Sequence, residues 1–179
     1  MWTAGKVNIF LDDTFVAVSD MKPCSPNANF FLYMGADQAV KCNRKPAEDK
    51  EVTAAGWVST SRVKECSFLT SIHNTKSVPC KLLLADTIPK STLDKVVVEQ
   101  IKPNPKETRI TSGGFDAMSG IASLNAKNLA SESDSVFKDE EGGTIMWLLN
   151  LKAGEKRQVD FFYRITHPDD MSVEVVEAN

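Results

Sequence analysis

Apolar and polar residues alternate along much of the chain, and the alternation is clearest between residues 144 and 168. Two rows of every-second apolar residues stand out there, namely Ile145, Trp147, Leu149 and Leu151, followed by Val159, Phe161, Tyr163 and Ile165. Successive side chains of a strand point to opposite faces, so each row is predicted to lie on a core. The connector at 152–156 contains Gly154, where a positive φ costs little, and it suits a link that crosses between two sheets.

Similar runs, separated by turn residues, predict strands through the rest of the chain. They read, in order, KVNIFLDDTFVAVS with Asp12 and Asp13 at its bend, NFFLYMGADQAVKCNRK, RVKECSFLTSIHN, VPCKLLLADTIP, LDKVVVEQI and MSVEVVE. No segment shows a helical stripe of ten or more residues. The pattern therefore predicts an all-β fold built as an antiparallel sandwich.

Two segments interrupt this pattern. Residues 111–143 are rich in Gly, Ser and Asn, and they predict a mobile insertion with a short helix near 122–129. The polar stretch 43–51 predicts a shorter hinge. The expected organisation is therefore N-terminal β-hairpins over residues 1–50 and the sandwich over 51–179.

Composition narrows the class of protein. The 179 residues carry a formal net charge of -3, so no basic field favours nucleic acid as a partner. No apolar run is long enough for a membrane span, and the first residues lack the pattern of a signal peptide. We therefore expect a cytoplasmic chain without a membrane span.

The cysteines do not predict a metal site. Cys24, Cys42, Cys66 and Cys80 include no C-x-x-C pair, and the chain has only 2 histidines. An even number permits two disulfides, but neither a secretory signal nor a glycosylation sequon accompanies the cysteines. Reduced, mostly buried thiols are the favoured interpretation, and the redox state stays open.

Two motifs carry a resemblance to known proteins. SFLTSIHNTKSVPCKLLLADTIPKS has a strand ending in Asn74 and a strand closing on Asp-x-Ile-Pro, and WLLNLKAGE follows later. Together they resemble an immunoglobulin-like sandwich. With VNIFLDDTFVAVSDM and FFLYMGADQAVKC added, their order is similar to the C-terminal domain of unknown function of the mucoidy inhibitor A-like family.

That resemblance covers about residues 5–169 apart from the Ser-rich interval, and it implies a C-terminal fragment of a larger protein. Family members carry a coiled coil and a further β region upstream, so the implied partner is that upstream region. Another protein or a second copy of the chain is an alternative partner. The family brings no accepted catalytic residues and no cofactor.

Nucleophilic chemistry is not favoured by the spacing of cysteine and histidine. Cys66 and His73 lie seven positions apart on one predicted strand, which separates them by about 23 Å. His73 and Cys80 would meet only if residues 74–79 formed a hairpin, and the immunoglobulin-like interpretation sends these strands to different sheets. Asp86 is expected to accept backbone hydrogen bonds where its strand ends.

The acidic and histidine-containing clusters are predicted to be turns. His167 and Pro168, with the aspartates after them, suit a strand end better than a metal site, which needs three or four convergent ligands. The aspartate pair at 12–13 and the acidic run 139–141 lack the spacing of a calcium loop. The sequence therefore predicts no catalytic residue and no metal ligand.

One apolar set falls on the rows opposite the predicted core, namely Phe31, Met146, Leu148 and Phe162. If these rows face outward, they form a binding patch, and Leu148→Glu or Phe162→Glu would abolish association without unfolding the chain. If another layer covers them, they belong to the core. The favoured function is a non-enzymatic protein-interaction or structural domain. The alternatives are a carbohydrate-binding module and a hydrolase with a Cys/His site.

Overall fold

The computed structural model describes residues 1–26, 30, 33–47, 50–55, 60–111, 133–139 and 142–173. The chain divides into two compact units, Met1–Gln38 and Ala39–Asn179. All regular structure in the described residues is β-strand, as the sequence predicts. The strands are β1 Gly5–Leu11, β2 Thr14–Met21, β3 Val40–Pro46, β4 Lys50–Ala55, β5 Thr60–Asn74, β6 Cys80–Thr87, β7 Val97–Lys102, β8 Arg109–Thr111, β9 Ser135–Asp139, β10 Thr144–Leu151 and β11 Lys156–Pro168.

The first unit contains a β-hairpin made of β1 and β2. Leu11 pairs with Thr14, and the two residues between them, Asp12 and Asp13, have φ of 45° and 61°. Positive φ at both central positions is typical of a type I′ turn, which matches the twist of the flanking strands. The predicted hairpin with the two aspartates at its bend is confirmed.

The second unit contains two sheets. One has the strand order β3-β5-β11-β7, with β4 also pairing with β5, and the other has the order β6-β10-β9-β8. All these pairings are antiparallel except that of β8 with β9. The long strand β5 takes β3 and β4 on the same edge, because 68–74 pair with β3 and 60–65 pair with β4.

A shared apolar core lies between these two sheets. The five-stranded sheet contributes buried residues from β5 and β11, the four-stranded sheet contributes them from β10, and both sets belong to one packed cluster. The predicted rows are all in it, namely Ile145, Trp147, Leu149 and Leu151 with Val159, Phe161, Tyr163 and Ile165. The aromatic rings contact one another, with Trp147 edge-on to Phe161 at 5.8 Å between centroids. The architecture is thus consistent with an antiparallel β-sandwich, while the immunoglobulin-like assignment stays a prediction.

Two predictions about irregular segments need correction. The stretch 43–51, predicted as a hinge, lies largely in β3 and β4, and β3 pairs with β5 of the larger unit. Its polar composition reflects an edge strand whose described side chains are mostly exposed. Within the predicted mobile insertion, 135–139 forms β9, because Phe137 is buried there. The helix predicted near 122–129 and most of the final strand MSVEVVE lie outside the described residues.

A tight turn before β10 depends on two glycines. Asp139 is buried, and one of its carboxylate oxygens accepts a hydrogen bond from the backbone N–H of Gly142 at 2.8 Å. Gly143 has φ of 72° and accepts a hydrogen bond from the N–H of Ile88 at 3.0 Å. Asp139 is therefore a buried turn residue and not the solvated one that its acidic neighbours suggest.

Gly143→Ala is expected to lower the free energy of unfolding by about 1–3 kcal/mol. A Cβ at this position would meet the carbonyl oxygen of Ile88 at 2.8 Å, and the positive φ disfavours any side chain. The matched control is Gly5→Ala, because no atom lies within 4 Å of a Cβ there. Urea unfolding of both variants measures the difference, and equal midpoints would contradict the strained geometry.

Candidate interaction surface

The β1–β2 hairpin has one buried face and one exposed face. Ile9 pairs with Ala17, and both are buried. The opposite face carries the cross-strand pairs Lys6 with Asp20, Asn8 with Val18 and Phe10 with Phe15. We call the residues of these three pairs the hairpin outer face.

The apolar part of the hairpin outer face lies beside the turn. Phe10 is 60% exposed, Phe15 53% and Val18 51%. The two rings are edge-on, with centroids 5.7 Å apart and planes at 72°. A sheet that faces water normally presents polar residues, so these three neighbouring exposed apolar side chains form the candidate interaction surface.

A β-bulge produces the pairing of the two aromatic residues. The register shifts between Ile9 and Phe10, so that Phe10 lies opposite Phe15 and not opposite Val16. An extra residue on one strand changes the direction of the side chains that follow it. Sequence alternation alone pairs Phe10 with Val16, which is why the aromatic pair is not evident from the pattern.

The structure separates the residues predicted as an outer apolar patch. Met146 and Leu148 are 1% and 2% exposed, and they pack with Phe137 in a second buried cluster on β9 and β10. For these two residues the second alternative of the sequence analysis applies, because they are covered and belong to the core. Phe162 is partly buried on β11, and Phe31 lies outside the described residues. Binding through this set stays a prediction.

Neither candidate Cys/His pair is brought together by strand pairing: Cys66 and His73 lie seven positions apart on β5, and the strands of His73 and Cys80 do not pair with one another. His73 is on β5 in the five-stranded sheet, and Cys80 is on β6 in the four-stranded sheet. Partial burial raises the pKa of the Cys42 thiol, so its neutral form is favoured at pH 7. No disulfide joins any of the four cysteines, all of which are in the described part of the chain.

His167 serves the end of β11. Its ring is 5% exposed, and Nδ1 lies 2.9 Å from the carbonyl oxygen of Pro168, so Nδ1 donates the hydrogen bond. Asp169 pairs with Arg62 at 2.5 Å. Among the described residues, no three His, Cys, Asp or Glu side chains are placed to hold a metal ion.

Asp86 accepts a backbone hydrogen bond near the end of its strand, as predicted, and it also pairs with an arginine. Its Oδ1 accepts a hydrogen bond from the backbone N–H of Thr87 at 2.9 Å, which agrees with the expected strand end. Its Oδ2 also accepts a hydrogen bond from Nε of Arg44 at 2.8 Å, while the guanidinium of Arg44 lies 3.7 Å from the centroid of the Phe68 ring. Arg44 on β3 therefore ties the edge of one sheet to β6 of the other.

Asn74 connects the two motifs that carry the family resemblance. It is fully buried, and its Nδ2 donates to the carbonyl oxygens of Val78 at 3.0 Å and Lys152 at 2.9 Å. Its Oδ1 accepts a hydrogen bond from the N–H of Lys76 at 3.1 Å. One side chain thus satisfies three backbone groups in two loops.

The connector after β10 has its own polar network. Oε2 of Glu155 accepts a hydrogen bond from the backbone N–H of Lys152 at 2.6 Å, and Oε1 accepts one from Nε of Arg157 at 2.9 Å. These bonds, the one from the Lys152 backbone first, lower the pKa of Glu155. Gly154 has φ of 69°, which confirms the positive φ expected at this position, and the connector joins strands of the two sheets as predicted.

An open apolar cleft lies in the second unit beside β7. Its volume is about 450 Å³, and it is lined by apolar side chains that include Val96, Val98, Ile165 and Met171. Among the described residues of its lining, Lys90 is the one titratable group, so those residues form no acid–base pair.

The geometry defines an all-β protein with an antiparallel sandwich and a separate hairpin unit. Over residues 1–169 the chain matches the model of the family described as domain of unknown function (DUF4139), and the chain belongs to that family. No curated protein and no solved structure matches it. No helix among the described residues is long and apolar enough to cross a membrane.

Proposed function

We propose that this chain is a non-enzymatic protein-interaction domain that binds its partner through the hairpin outer face. The observation that carries the proposal is the exposed apolar group Phe10, Phe15 and Val18. Aromatic side chains are enriched at protein interfaces and supply much of their binding energy. The rigid type I′ turn holds the two rings beside each other, so little side-chain and loop ordering accompanies binding.

The partner in this proposal is another segment of the parent protein or a separate protein. The suggested relationship to the mucoidy inhibitor A-like proteins belongs to the same proposal. It is supported by Asn74, which joins the strand-ending Asn motif to the LNLKAGE motif through Lys152. The two motifs therefore contact each other directly.

A carbohydrate-binding module receives less support from the geometry. Sugar rings stack on aromatic faces, and a platform of coplanar rings favours such stacking. The exposed pair Phe10 and Phe15 instead meets at 72°. This arrangement suits the insertion of a partner's apolar side chain better than the stacking of a flat ring.

Phe10→Ser combined with Phe15→Ser is expected to reduce association with the partner about thirtyfold or more, since a single aromatic anchor contributes on the order of 2 kcal/mol. The tagged chain is produced in its native host, and the proteins that copurify with it are quantified by mass spectrometry. The matched control is Ile110→Ser, which removes an apolar side chain that is 64% exposed on β8. An unchanged set of copurifying proteins in the double variant would contradict the proposal.

Folding is checked separately. Both aromatic residues are more than half exposed, so the double variant is expected to keep the far-UV and near-UV circular dichroism of the wild type. Loss of the partner with an intact spectrum supports a direct role of the hairpin outer face in binding.

A further inference from the structure

Six polar side chains form a registered array on the solvent-facing side of the five-stranded sheet. Lys41, His73 and Lys156 are cross-strand partners on β3, β5 and β11, and Asn43, Ser71 and Gln158 form the adjacent row. The residue between the two positions on β5, Ile72, is buried in the core, so the array points away from the core. We call these six residues the polar platform, and a shallow groove of about 530 Å³ lies over them.

The side chains of the polar platform have no hydrogen-bond or ion-pair partner among the described residues. The same sheet face behaves differently further along, where Arg164 pairs with Glu65 at 2.8 Å and Lys102 pairs with Asp160 at 2.9 Å. The charged side chains on that half of the face therefore form ion pairs. On the half that carries the polar platform, Lys41 and Lys156 lie on the two strands that flank β5 and have no ion-pair partner among the described residues.

We propose that the polar platform binds an extended acidic peptide segment of a partner protein. The two lysines lie two strand spacings apart, about 10 Å between backbones, while carboxylates on one side of an extended peptide recur about every 7 Å. The long lysine side chains can span that difference, so each ammonium group reaches a carboxylate. Charge complementarity of this kind steers association and selects the partner.

The neutral members of the polar platform favour a peptide over a simple anion. Asn43 and Gln158 each present amide donors and an acceptor, and Ser71 presents a hydroxyl that does both. A carboxylate ion accepts hydrogen bonds and donates none, so it pairs with the donors of the polar platform but not with its acceptors. Peptide groups offer N–H and C=O together and can satisfy both.

The proposal is independent of the hairpin outer face, because all six residues belong to the second unit. Hexaglutamate labelled with fluorescein is titrated with the intact chain at about 0.15 M salt, where charges more than about 8 Å apart are largely screened, and binding is followed by fluorescence anisotropy. Lys41→Glu combined with Lys156→Glu is expected to weaken binding about tenfold or more, because two attractions become repulsions. Hexaglutamine is expected not to bind.

The matched control is Lys95→Glu combined with Lys106→Glu, which makes the same change in net charge at exposed lysines outside the polar platform. Its affinity is expected to stay within about twofold of the wild type, because separated surface charges are screened by salt. Equal losses in the two double variants would overturn the proposal, since net charge alone would then explain binding. Tighter binding of trigalacturonate than of hexaglutamate would also overturn it, in favour of an acidic sugar.

Discussion

Replacing Asn74 by leucine is expected to lower the free energy of unfolding by about 3–5 kcal/mol. Leucine has a similar size but no polar atoms. The carbonyl oxygens of Val78 and Lys152 lose their donor, and the N–H of Lys76 loses its acceptor, beside a side chain that is itself fully buried. Each buried backbone group left without a partner costs about 1–3 kcal/mol, which makes this one of the two largest effects that we expect.

The measurement for Asn74→Leu is the urea midpoint and slope, compared with Asn43→Leu. Asn43 is exposed and makes no side-chain hydrogen bond among the described residues, so its replacement is expected to change stability by no more than about 0.5 kcal/mol. If Asn74→Leu were as stable as Asn43→Leu, the hydrogen bonds of Asn74 would not be holding the two loops together.

The second large effect is expected for Leu148→Glu, which should destabilise the fold by about 4 kcal/mol or prevent folding. Leu148 is 2% exposed and packs with Phe137 and Met146, so the new carboxylate would be buried without a partner. The outward alternative of the sequence analysis predicts instead that this change abolishes association and leaves the fold intact. The burial of Leu148 reverses that expectation.

Two further variants test whether the expected loss of stability comes from the buried charge or from any substitution in this region. Leu148→Met keeps the apolar volume and is expected to cost less than about 1.5 kcal/mol. Phe162→Glu lies on the partly exposed outer side of β11 and is expected to retain the fold, as the sequence-based prediction states. Thermal unfolding ranks the three variants by stability. A Leu148→Glu variant as stable as the wild type would show that the cluster of Phe137, Met146 and Leu148 opens readily to water.

Much of the fold follows from alternation, which is a local property of the sequence. The rows ending at Leu151 and Ile165 identify their strands because each second residue must leave water. The bend at Asp12 and Asp13 follows from turn chemistry for the same reason. Alternation does not identify strands at the edges of sheets. The polar strand β3 shows little alternation, and its sequence resembles that of a hinge.

The candidate sites depend on contacts between residues that are distant in the sequence, and these are not visible in a local pattern. Arg44 meets Asp86 only because β3 and β6 lie at neighbouring edges of two sheets. The pairing of Phe10 with Phe15 depends on a bulge, and the covered state of Met146 depends on β9, a strand predicted as part of a mobile insertion. Sequence alternation identifies which residues share a face, whereas the register decides which of them meet.

Site-specific photo-cross-linking tests whether the hairpin outer face contacts a partner protein. A benzophenone amino acid replaces Phe15 in one chain and Ile110 in another, and both chains are irradiated in cells of the native host. Covalent adducts with one partner protein from position 15, and none with it from position 110, are the predicted result. If position 15 gave no adduct, or if position 110 alone gave adducts with that protein, the hairpin outer face would not be the surface that contacts it.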